Sequence, residues 1–141
     1  MHVAKTEIRK KAIVINTASY ERVAFALNLA TASSALGEKV YVLFGYGGIL
    51  RLRKGCEDDI GEETNAWIRK EIFKEKEKNG LPKISEHLKL LRSLGGKIYA
   101  CPAAMALHNL TKGELTDYVD DVRGLASFLT EEAKDAMLIY V

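Results

Sequence analysis

Cysteine and proline are scarce in this 141-residue sequence, which contains two of each. Cys56 and Cys101 lie far apart and in different sequence contexts, so their spacing does not indicate a structural disulfide. The low proline content and the lack of any low-complexity tract argue against extended disorder. We therefore expect a globular chain in which both thiols are free.

Long hydrophobic runs are also missing. Apolar runs such as residues 12–15 and 137–141 fall far short of the ~20 apolar residues that a membrane-spanning helix requires. The first seven residues, MHVAKTE, lack the apolar core and the small-residue cleavage site of a secretory signal. These absences predict a protein without a membrane span, located in the cytoplasm.

Neither sign of charge dominates, because 21 Lys and Arg residues oppose 19 Asp and Glu residues and leave a formal net charge of +2. Such a balance gives no field strong enough to indicate a nucleic-acid partner. Metal binding is not indicated either, since no two cysteine or histidine residues fall two to five positions apart. We expect neither a metal nor a cofactor.

The sequence does contain alternating strand and helix signals, in a length suited to a single domain that spans residues 1–141. Apolar runs at residues 12–16 and 40–44 are typical of strands buried on both faces of a parallel sheet. A helical pattern follows the first run and ends at Gly37. The charged residues 49–82 are interpreted as a partly helical insertion over the sheet edge.

The second half of the chain continues this alternation. Residues 84–94 carry apolar side chains at helical spacing, and residues 97–100 form a short strand signal. A helical pattern at residues 103–110 is followed by residues 115–119, which lead toward another short strand. A second helical pattern at residues 124–134 precedes a last strand at residues 137–141. This order predicts a three-layer α/β/α fold with a mostly parallel sheet of about five strands and with sites at the carboxyl ends of the strands.

Cys101 lies where a predicted strand meets a predicted helix. Pro102 suits the first helical position because its missing N–H has no partner there. The backbone N–H groups of Ala103 and Ala104 then point toward the sulfur and favour the thiolate, which is the reactive form of cysteine. A free cysteine is also often a small, buried apolar residue. Position alone leaves both interpretations of Cys101 open.

Glycines after the second strand are the next candidate for a site. Gly47 and Gly48 belong to a glycine-rich segment that matches no phosphate-binding fingerprint. We interpret the segment as a plain turn or as one wall of a Cys101 pocket, to which Pro102, Ala103 and Ala104 also contribute.

Two further side chains have weaker signals. Cys56 is followed by three acidic residues that disfavour a thiolate, so we interpret it as incidental in preference to a resolving thiol. His108 is separated from Cys101 by ~10 Å along a helix, which is too far for a thiol–imidazole pair.

A series of segments in the carboxyl-terminal third is more specific than these patterns. It comprises the cysteine-bearing residues 98–107, residues 110–115, residues 119–125 and the Ala-Lys-Asp-Ala of residues 133–136. The series resembles the DsrE/DsrF-like superfamily, and within it the peroxiredoxin-like branch. The resemblance also reaches the amino-terminal strands, so it covers most of the chain outside the insertion.

The chain departs from the family pattern in two places. A short strand with the sequence Asp-Gly-Val is represented either by Asp120-Asp121-Val122 or by Asp117-Tyr118-Val119. A glycine pair is reduced to Gly124. These differences concern the wall beside the sulfur and therefore the choice of partner.

The resemblance implies a sulfur relay in which Cys101 accepts sulfane sulfur as a persulfide and passes it to an acceptor thiol. The implied partners are a small thiol carrier or a rhodanese-type protein, and the implied assembly is a homo-oligomer, a trimer or a hexamer. One alternative is a thiol redox sensor or peroxidase-like protein in which Cys56 resolves an oxidised Cys101. Another is an oligomeric interaction module whose cysteine is inert.

Overall fold

Strands and helices alternate along residues 8–61 and 63–141, which are the residues described by the structure, a computed structural model. The predicted domain of residues 1–141 also includes residues 1–7 and 62, which lie outside the described residues. In chain order the elements are β1 (Lys10–Ile15), α1 (Tyr20–Ala35), β2 (Lys39–Phe44), α2 (Ala66–Glu77), α3 (Ile84–Ser93), β3 (Lys97–Ala100), α4 (Pro102–Leu107), β4 (Asp121–Val122), α5 (Leu125–Thr130) and β5 (Met137–Tyr140). Two 3-10 helices, Tyr46–Leu52 and Lys112–Glu114, complete them.

All five strands form one parallel sheet in the order β4-β3-β2-β1-β5. The central strands β1 and β2 carry the apolar runs seen in the sequence, and Ile13 of β1 is paired with Val42 of β2. Both side chains are fully buried, as a strand covered on both faces requires. The prediction of a three-layer α/β/α fold with five mostly parallel strands is confirmed.

Helices α1, α3 and α4 cover one face of the sheet. Val23 and Leu27 of α1 and Leu88 of α3 are fully buried in the same core as Ile13. The chain crosses from β1 to β2 to β3 to β4 in one direction, so right-handed crossovers place these helices on one side. We refer to this side as the α1 face.

Helix α5 lies on the opposite face because the connection from β4 to β5 crosses the sheet in the reverse direction. Phe128 of α5 is fully buried against Ala12, Leu43 and Tyr99. Since α5 has only six residues, it covers a small part of this second face, which we call the α5 face.

The charged segment at residues 49–82, predicted as a partly helical insertion over the sheet edge, contains α2 and packs against α1 and α3 on the α1 face. Ile49, Leu52 and Ile72 are buried in the core formed with α1 and α3, and burial of these apolar side chains determines where the segment lies. Arg51, only 4% exposed, donates from Nη1 to the backbone oxygen of Asp59 and so joins two parts of the segment.

Helix length and polarity bear on the membrane prediction. Within the described residues, none of the helices combines the length with the apolar character that crossing a bilayer requires.

Candidate functional site

Backbone hydrogen bonds fix Cys101 at the junction between β3 and α4. Its N–H donates to the backbone oxygen of Phe44 at 3.0 Å, which extends the ladder between β2 and β3 by one residue. Its carbonyl accepts from the N–H of Met105 at 3.0 Å, the first bond of α4. Cys101 has extended backbone angles, and Pro102 occupies the first turn of the helix. The predicted strand-to-helix junction is confirmed.

The predicted capping contact at Cys101 is absent, because its sulfur accepts no hydrogen bond from the first turn of α4. The side chain instead lines a cleft on the α5 face and packs against both hydrophobic clusters of the protein. Half-buried and without a capping donor, the sulfur is held by packing and faces open space. Access, more than hydrogen bonding, distinguishes this thiol.

The cleft beside Cys101, which we call the cysteine pocket, has a volume of about 190 Å³. Its floor is one row of the sheet, in which Val14 is paired with Leu43 on one side and with Tyr140 on the other. Leu125 of α5 supplies the roof. Because the pocket lies where parallel strands end, it occupies the position expected for a site in an open α/β sheet.

The cysteine pocket has no charged side chain in its wall. Asn16 donates from Nδ2 to the hydroxyl oxygen of Tyr140 at 2.9 Å and joins the ends of β1 and β5. Asn16 Oδ1 is buried and has no hydrogen-bond partner among the described residues. The pocket therefore offers mainly apolar contact and one sulfur atom, and it has no charged side chain that would attract a small anion.

Tyr46 forms the outer wall of the pocket in a strained conformation. Its φ is +23°, a value that non-glycine residues rarely adopt, and its side chain is 57% exposed. Strain of this kind persists only where the surrounding structure imposes it, and here the flanking Gly45 is bound through its N–H to the oxygen of Ile15 at 2.9 Å.

The residues predicted to surround Cys101 divide into two groups. Ala103 lines the cysteine pocket. Pro102 is exposed and does not line it, and Ala104 is fully buried on the core side of α4. Gly47 and Gly48 pack against the turn after β1, and the wall that we expected from them is supplied by their neighbours Gly45 and Tyr46. The segment is also not a plain turn, since it forms the 3-10 helix Tyr46–Leu52.

Neither Cys56 nor His108 lines the cysteine pocket. Cys56 is half-buried in the turn between Arg53 and Asp59, with which its backbone forms hydrogen bonds of 2.9 and 3.3 Å. Both cysteines are free. His108 follows the last turn of α4, and its Nε2 is buried without a hydrogen-bond partner among the described residues.

Most residues of the pocket carry no local sequence signal, although a simple rule of sheet geometry locates part of it. Parallel strands end at the same edge of a sheet, so the residues at their carboxyl ends lie close together. Asn16 follows β1, Gly45 follows β2 and Tyr140 ends β5, and all three line the cleft with Cys101. Leu125 could not be found in this way, since its place depends on the position of α5.

Packing beneath the pocket joins α5 to β3. The rings of Tyr99 and Phe128 meet edge to face with centroids 6.2 Å apart. The guanidinium of Arg123 lies 5.4 Å from the Tyr99 ring and 2.8 Å from the carboxylate of the buried Glu132. Burial is the main cause that raises the pKa of Tyr99 above its usual value of 10, so this tyrosine stays neutral and structural.

On the α1 face, His87 of α3 is buried in its neutral form. It is 7% exposed, and burial lowers its pKa below the ordinary 6.5, an effect that Glu86 opposes. The unfolded chain takes up this proton near pH 6.5, whereas the folded chain does so only at lower pH. Between those two pKa values the unfolded state binds more protons, so acidification favours unfolding.

We expect the free energy of unfolding to fall as the pH is lowered through about 6.5, and to fall less in a His87→Leu variant. Urea denaturation between about pH 5.5 and pH 7.5 measures the loss of unfolding free energy in each protein. Each unit by which folding lowers the pKa of His87 adds about 1.4 kcal/mol to the loss in wild type. Leu90→Ala, at a 48% exposed position of the same helix, is the control and retains the wild-type slope because it removes no titratable group. Equal slopes for wild type and His87→Leu would contradict the prediction.

Within residues 8–61 and 63–141 no group of three or more histidine, cysteine, aspartate or glutamate side chains is arranged to hold a metal ion.

Comparison with known proteins agrees with this geometry. A sequence profile of the DsrE/DsrF-like family matches residues 9–136, which is most of the chain. The chain belongs to the DsrE/DsrF-like family. Of the two candidate segments for the short strand, the structure forms β4 at Asp121–Val122, within Asp120-Asp121-Val122. Membership of the DsrE/DsrF-like family supports a sulfur-relay or related role.

Two solved structures are similar to this DsrE/DsrF-like chain. The crystal structure of the YchN protein from E. coli matches with a TM-score of 0.68 at 16% identity and covers 95% of this chain and 100% of that chain. MTH1491 from Methanobacterium thermoautotrophicum, described as a protein of unknown function, also matches with a TM-score of 0.68, at 14% identity, covering 94% and 99% of the two chains. At these identities the likeness concerns the fold. No curated protein sequence matches the chain.

Proposed function

We propose that the protein is a sulfur carrier or sulfurtransferase that holds sulfane sulfur on Cys101. The observation that carries this proposal is the half-buried Cys101 thiol, which faces an uncharged pocket at the carboxyl edge of a parallel sheet in a DsrE/DsrF-like chain. A free thiol at such an edge is reachable by the sulfur of a second protein. The reducing cytoplasm is the compartment in which both thiols would stay free.

The transfer takes place in two balanced steps. The Cys101 thiolate attacks the outer sulfur of a donor persulfide, the donor's S–S bond breaks, and the donor leaves as a thiolate while Cys101 becomes a persulfide. An acceptor thiolate then attacks that outer sulfur and releases the Cys101 thiolate. Each step is equivalent to thiol–disulfide exchange, so it needs no general base and no external oxidant.

The uncharged wall favours a protein-bound donor and acceptor, such as a small thiol carrier or a rhodanese-type protein, over a small anionic donor. None of the residues lining the pocket is a lysine, an arginine or a histidine that would attract an anion.

The experiment is mass spectrometry of the protein after incubation with a low-molecular-weight persulfide donor, followed by digestion without reductant. The expected result is a gain of one sulfur atom on the peptide that contains Cys101, and its loss when an acceptor thiol is added. A Cys56–Cys101 bond after peroxide treatment would favour the redox sensor. Two unmodified thiols under both conditions would favour an inert interaction module.

We also propose that the α5 face is covered by further copies of the chain. Four apolar side chains on this face are between 43% and 71% exposed: Leu125, Leu129, Leu138 and Tyr140. Because Leu125 and Tyr140 also line the cysteine pocket, a neighbouring subunit seated here would border Cys101. A trimer or a hexamer, the assemblies that the family resemblance implies, would bury this surface.

A Leu138→Glu variant is expected to be monomeric, because an ionised carboxylate in an apolar interface has no partner. Leu36→Glu, at an 84% exposed position beyond the end of α1, is the matched control and keeps the wild-type assembly. Size-exclusion chromatography with light scattering measures both. A wild-type protein that is monomeric at all concentrations would contradict this part of the proposal.

A further inference from the structure

Within the segment Gly45-Tyr46-Gly47-Gly48, the residue with a positive φ is the tyrosine and not one of the three glycines. Tyr46 has a φ of +23°, whereas Gly45 is extended with a φ of −107° and neither Gly47 nor Gly48 has a positive φ. Glycine adopts positive φ readily, but the Cβ of a tyrosine makes such a conformation unfavourable. The chain therefore carries a bulky side chain at the position where glycine would fit best.

Contacts on both sides of Tyr46 impose its backbone conformation. The N–H of Gly45 donates to the oxygen of Ile15 at 2.9 Å, and the N–H of Gly48 donates to the oxygen of Gly45 at 2.8 Å. Gly48 also approaches Ile15 so closely that a Cβ on it would overlap the Ile15 oxygen. The segment is thus fixed against the end of β1, and residue 46 must join these two anchor points whatever side chain it carries.

Packing within the protein does not account for the side chain of Tyr46 either. The residue is 57% exposed, and it belongs to neither hydrophobic cluster of the described residues. Residues in unfavourable backbone conformations are concentrated at functional sites. A contact with a partner molecule accounts for a ring that neither the backbone nor the core requires.

The position of Tyr46 shows where such a partner would sit. Tyr46 forms the outer wall of the cysteine pocket, which it lines together with Cys101 and Tyr140. Tyr140 is 71% exposed, and its hydroxyl oxygen accepts from Nδ2 of Asn16. Two exposed tyrosines therefore border the space in front of the sulfur. Tyrosine is enriched among the residues that dominate protein interfaces, because its ring offers a large apolar area with few rotatable bonds.

The size and polarity of the pocket restrict what can enter it. Its volume of about 190 Å³ is below the ~300–1,000 Å³ of sites that enclose a whole ligand. It therefore admits only part of a partner, such as a reactive cysteine with one neighbouring side chain. Val14, Leu43 and Leu125 make its wall apolar, and none of its lining residues is charged. An apolar neighbour matches this wall better than a charged one.

We propose that Tyr46 determines which partner reaches Cys101, because its ring contacts an apolar side chain next to the reactive cysteine of the sulfur donor. This inference rests on the proposed function, since it takes the molecule that enters the pocket to be a sulfur donor. It adds the chemistry of that partner. The donor is a protein segment whose reactive cysteine is adjacent to a leucine-like residue.

The test is alkylation of the full-length protein by iodoacetyl-leucine amide and by iodoacetyl-glycine amide. The two reagents carry the same reactive group and differ only in the neighbouring side chain. In both reactions the thiolate displaces iodide and forms a thioether, so no sulfur is transferred. Mass spectrometry of the digested protein gives the rates at Cys101 and, as an internal reference, at Cys56, which lies outside the pocket.

We expect the leucine reagent to react at least about tenfold faster than the glycine reagent at Cys101, and the two rates to agree within about twofold at Cys56. The same preference at both cysteines would contradict the proposal. So would a Cys101 that neither reagent modifies.

Tyr46→Gly tests the ring itself and is expected to lower the preference at Cys101 to within about twofold of that at Cys56. Tyr46→Phe keeps the ring and should keep the preference. Phe25→Ala, which removes a 72% exposed ring of α1 outside the pocket, is the matched control and keeps it as well. If Tyr46→Gly retains the preference for the leucine reagent, Tyr46 is not the partner's contact.

Thermal unfolding separates recognition from a structural role. Glycine relieves the unfavourable φ, which offsets its greater freedom in the unfolded chain, so the midpoint of Tyr46→Gly should lie within about 4 °C of wild type. A larger fall would show that the ring supports the fold, and the proposal would be wrong.

Failure of this inference is distinguishable from failure of the sulfur relay. Sulfur uptake on Cys101 without a preference for the leucine reagent removes Tyr46 from recognition and leaves the relay in place. A preference that depends on Tyr46, in a protein that takes up no sulfur, would overturn the identification of the partner as a sulfur donor.

Discussion

Cys101→Ser is expected to abolish sulfur uptake, with the adduct yield falling at least about 100-fold, to the background of the measurement. A serine hydroxyl is not ionised near neutral pH and does not attack sulfur, while its size leaves the pocket and the fold intact. The measurement is the intact mass after incubation with the persulfide donor, together with a thermal unfolding curve to show that the variant is folded.

Cys56→Ser is the matched control, because it removes the other thiol and lies outside the cysteine pocket. It should take up one sulfur atom on Cys101 at the wild-type rate. Persistence of the adduct in Cys101→Ser, located on Cys56, would show that the reactive thiol has been assigned to the wrong residue. Loss of uptake in both single variants would point to a reaction that requires the pair.

Gly48→Ala is expected to reduce the free energy of unfolding by about 1–3 kcal/mol, because a Cβ at this position overlaps the backbone oxygen of Ile15. The same methyl group would also lie 3.3 Å from the backbone oxygen of Thr17 and 3.2 Å from the carbonyl carbon of Ile15. The backbone of Ile15 cannot move aside without disturbing β1, because Ile15 is the last residue of that strand. Urea denaturation and the thermal midpoint measure the effect.

Gly47→Ala is a close control for this change, since the nearest atom to its Cβ is the backbone nitrogen of Ala18 at 3.6 Å, an ordinary contact. It should change stability by less than about 0.5 kcal/mol. The oxygen of Ile15 also accepts from Gly45, which lines the cysteine pocket, so Gly48→Ala should slow sulfur uptake as well. Equal stabilities of the two variants would mean that the backbone at Ile15 yields easily.

The fold was accessible from the sequence because its signals are local. The apolar runs at β1 and β2 and the glycine stops after α1 and α3 each appear within a few residues of chain. Gly37 and Gly95 do adopt positive φ values, +89° and +92°, at those helix ends. The place of Cys101 between a strand and a proline was equally local, and for that reason it was predicted correctly.

The walls of the cysteine pocket could not be predicted because they depend on contacts between residues that are distant in sequence. Tyr140 reaches Asn16 across 124 positions, and only the register of β1 against β5 brings them together. For the same reason, the sequence did not show which of the two candidate segments forms β4. It is decided by Asp120, whose N–H donates to the oxygen of Ile98 and whose carboxylate accepts from the N–H of Ile98, both at 2.8 Å.

The position of β5 has a consequence for the order in which the protein acquires its chemistry. During synthesis, β5 leaves the ribosome after every other strand of the sheet, and with it comes Tyr140, one wall of the cysteine pocket. Parallel pairing of segments so far apart in sequence is slow, because a long loop must close first. The nascent chain therefore presents Cys101 before its pocket exists, and the site matures only when the final strand docks beside the first.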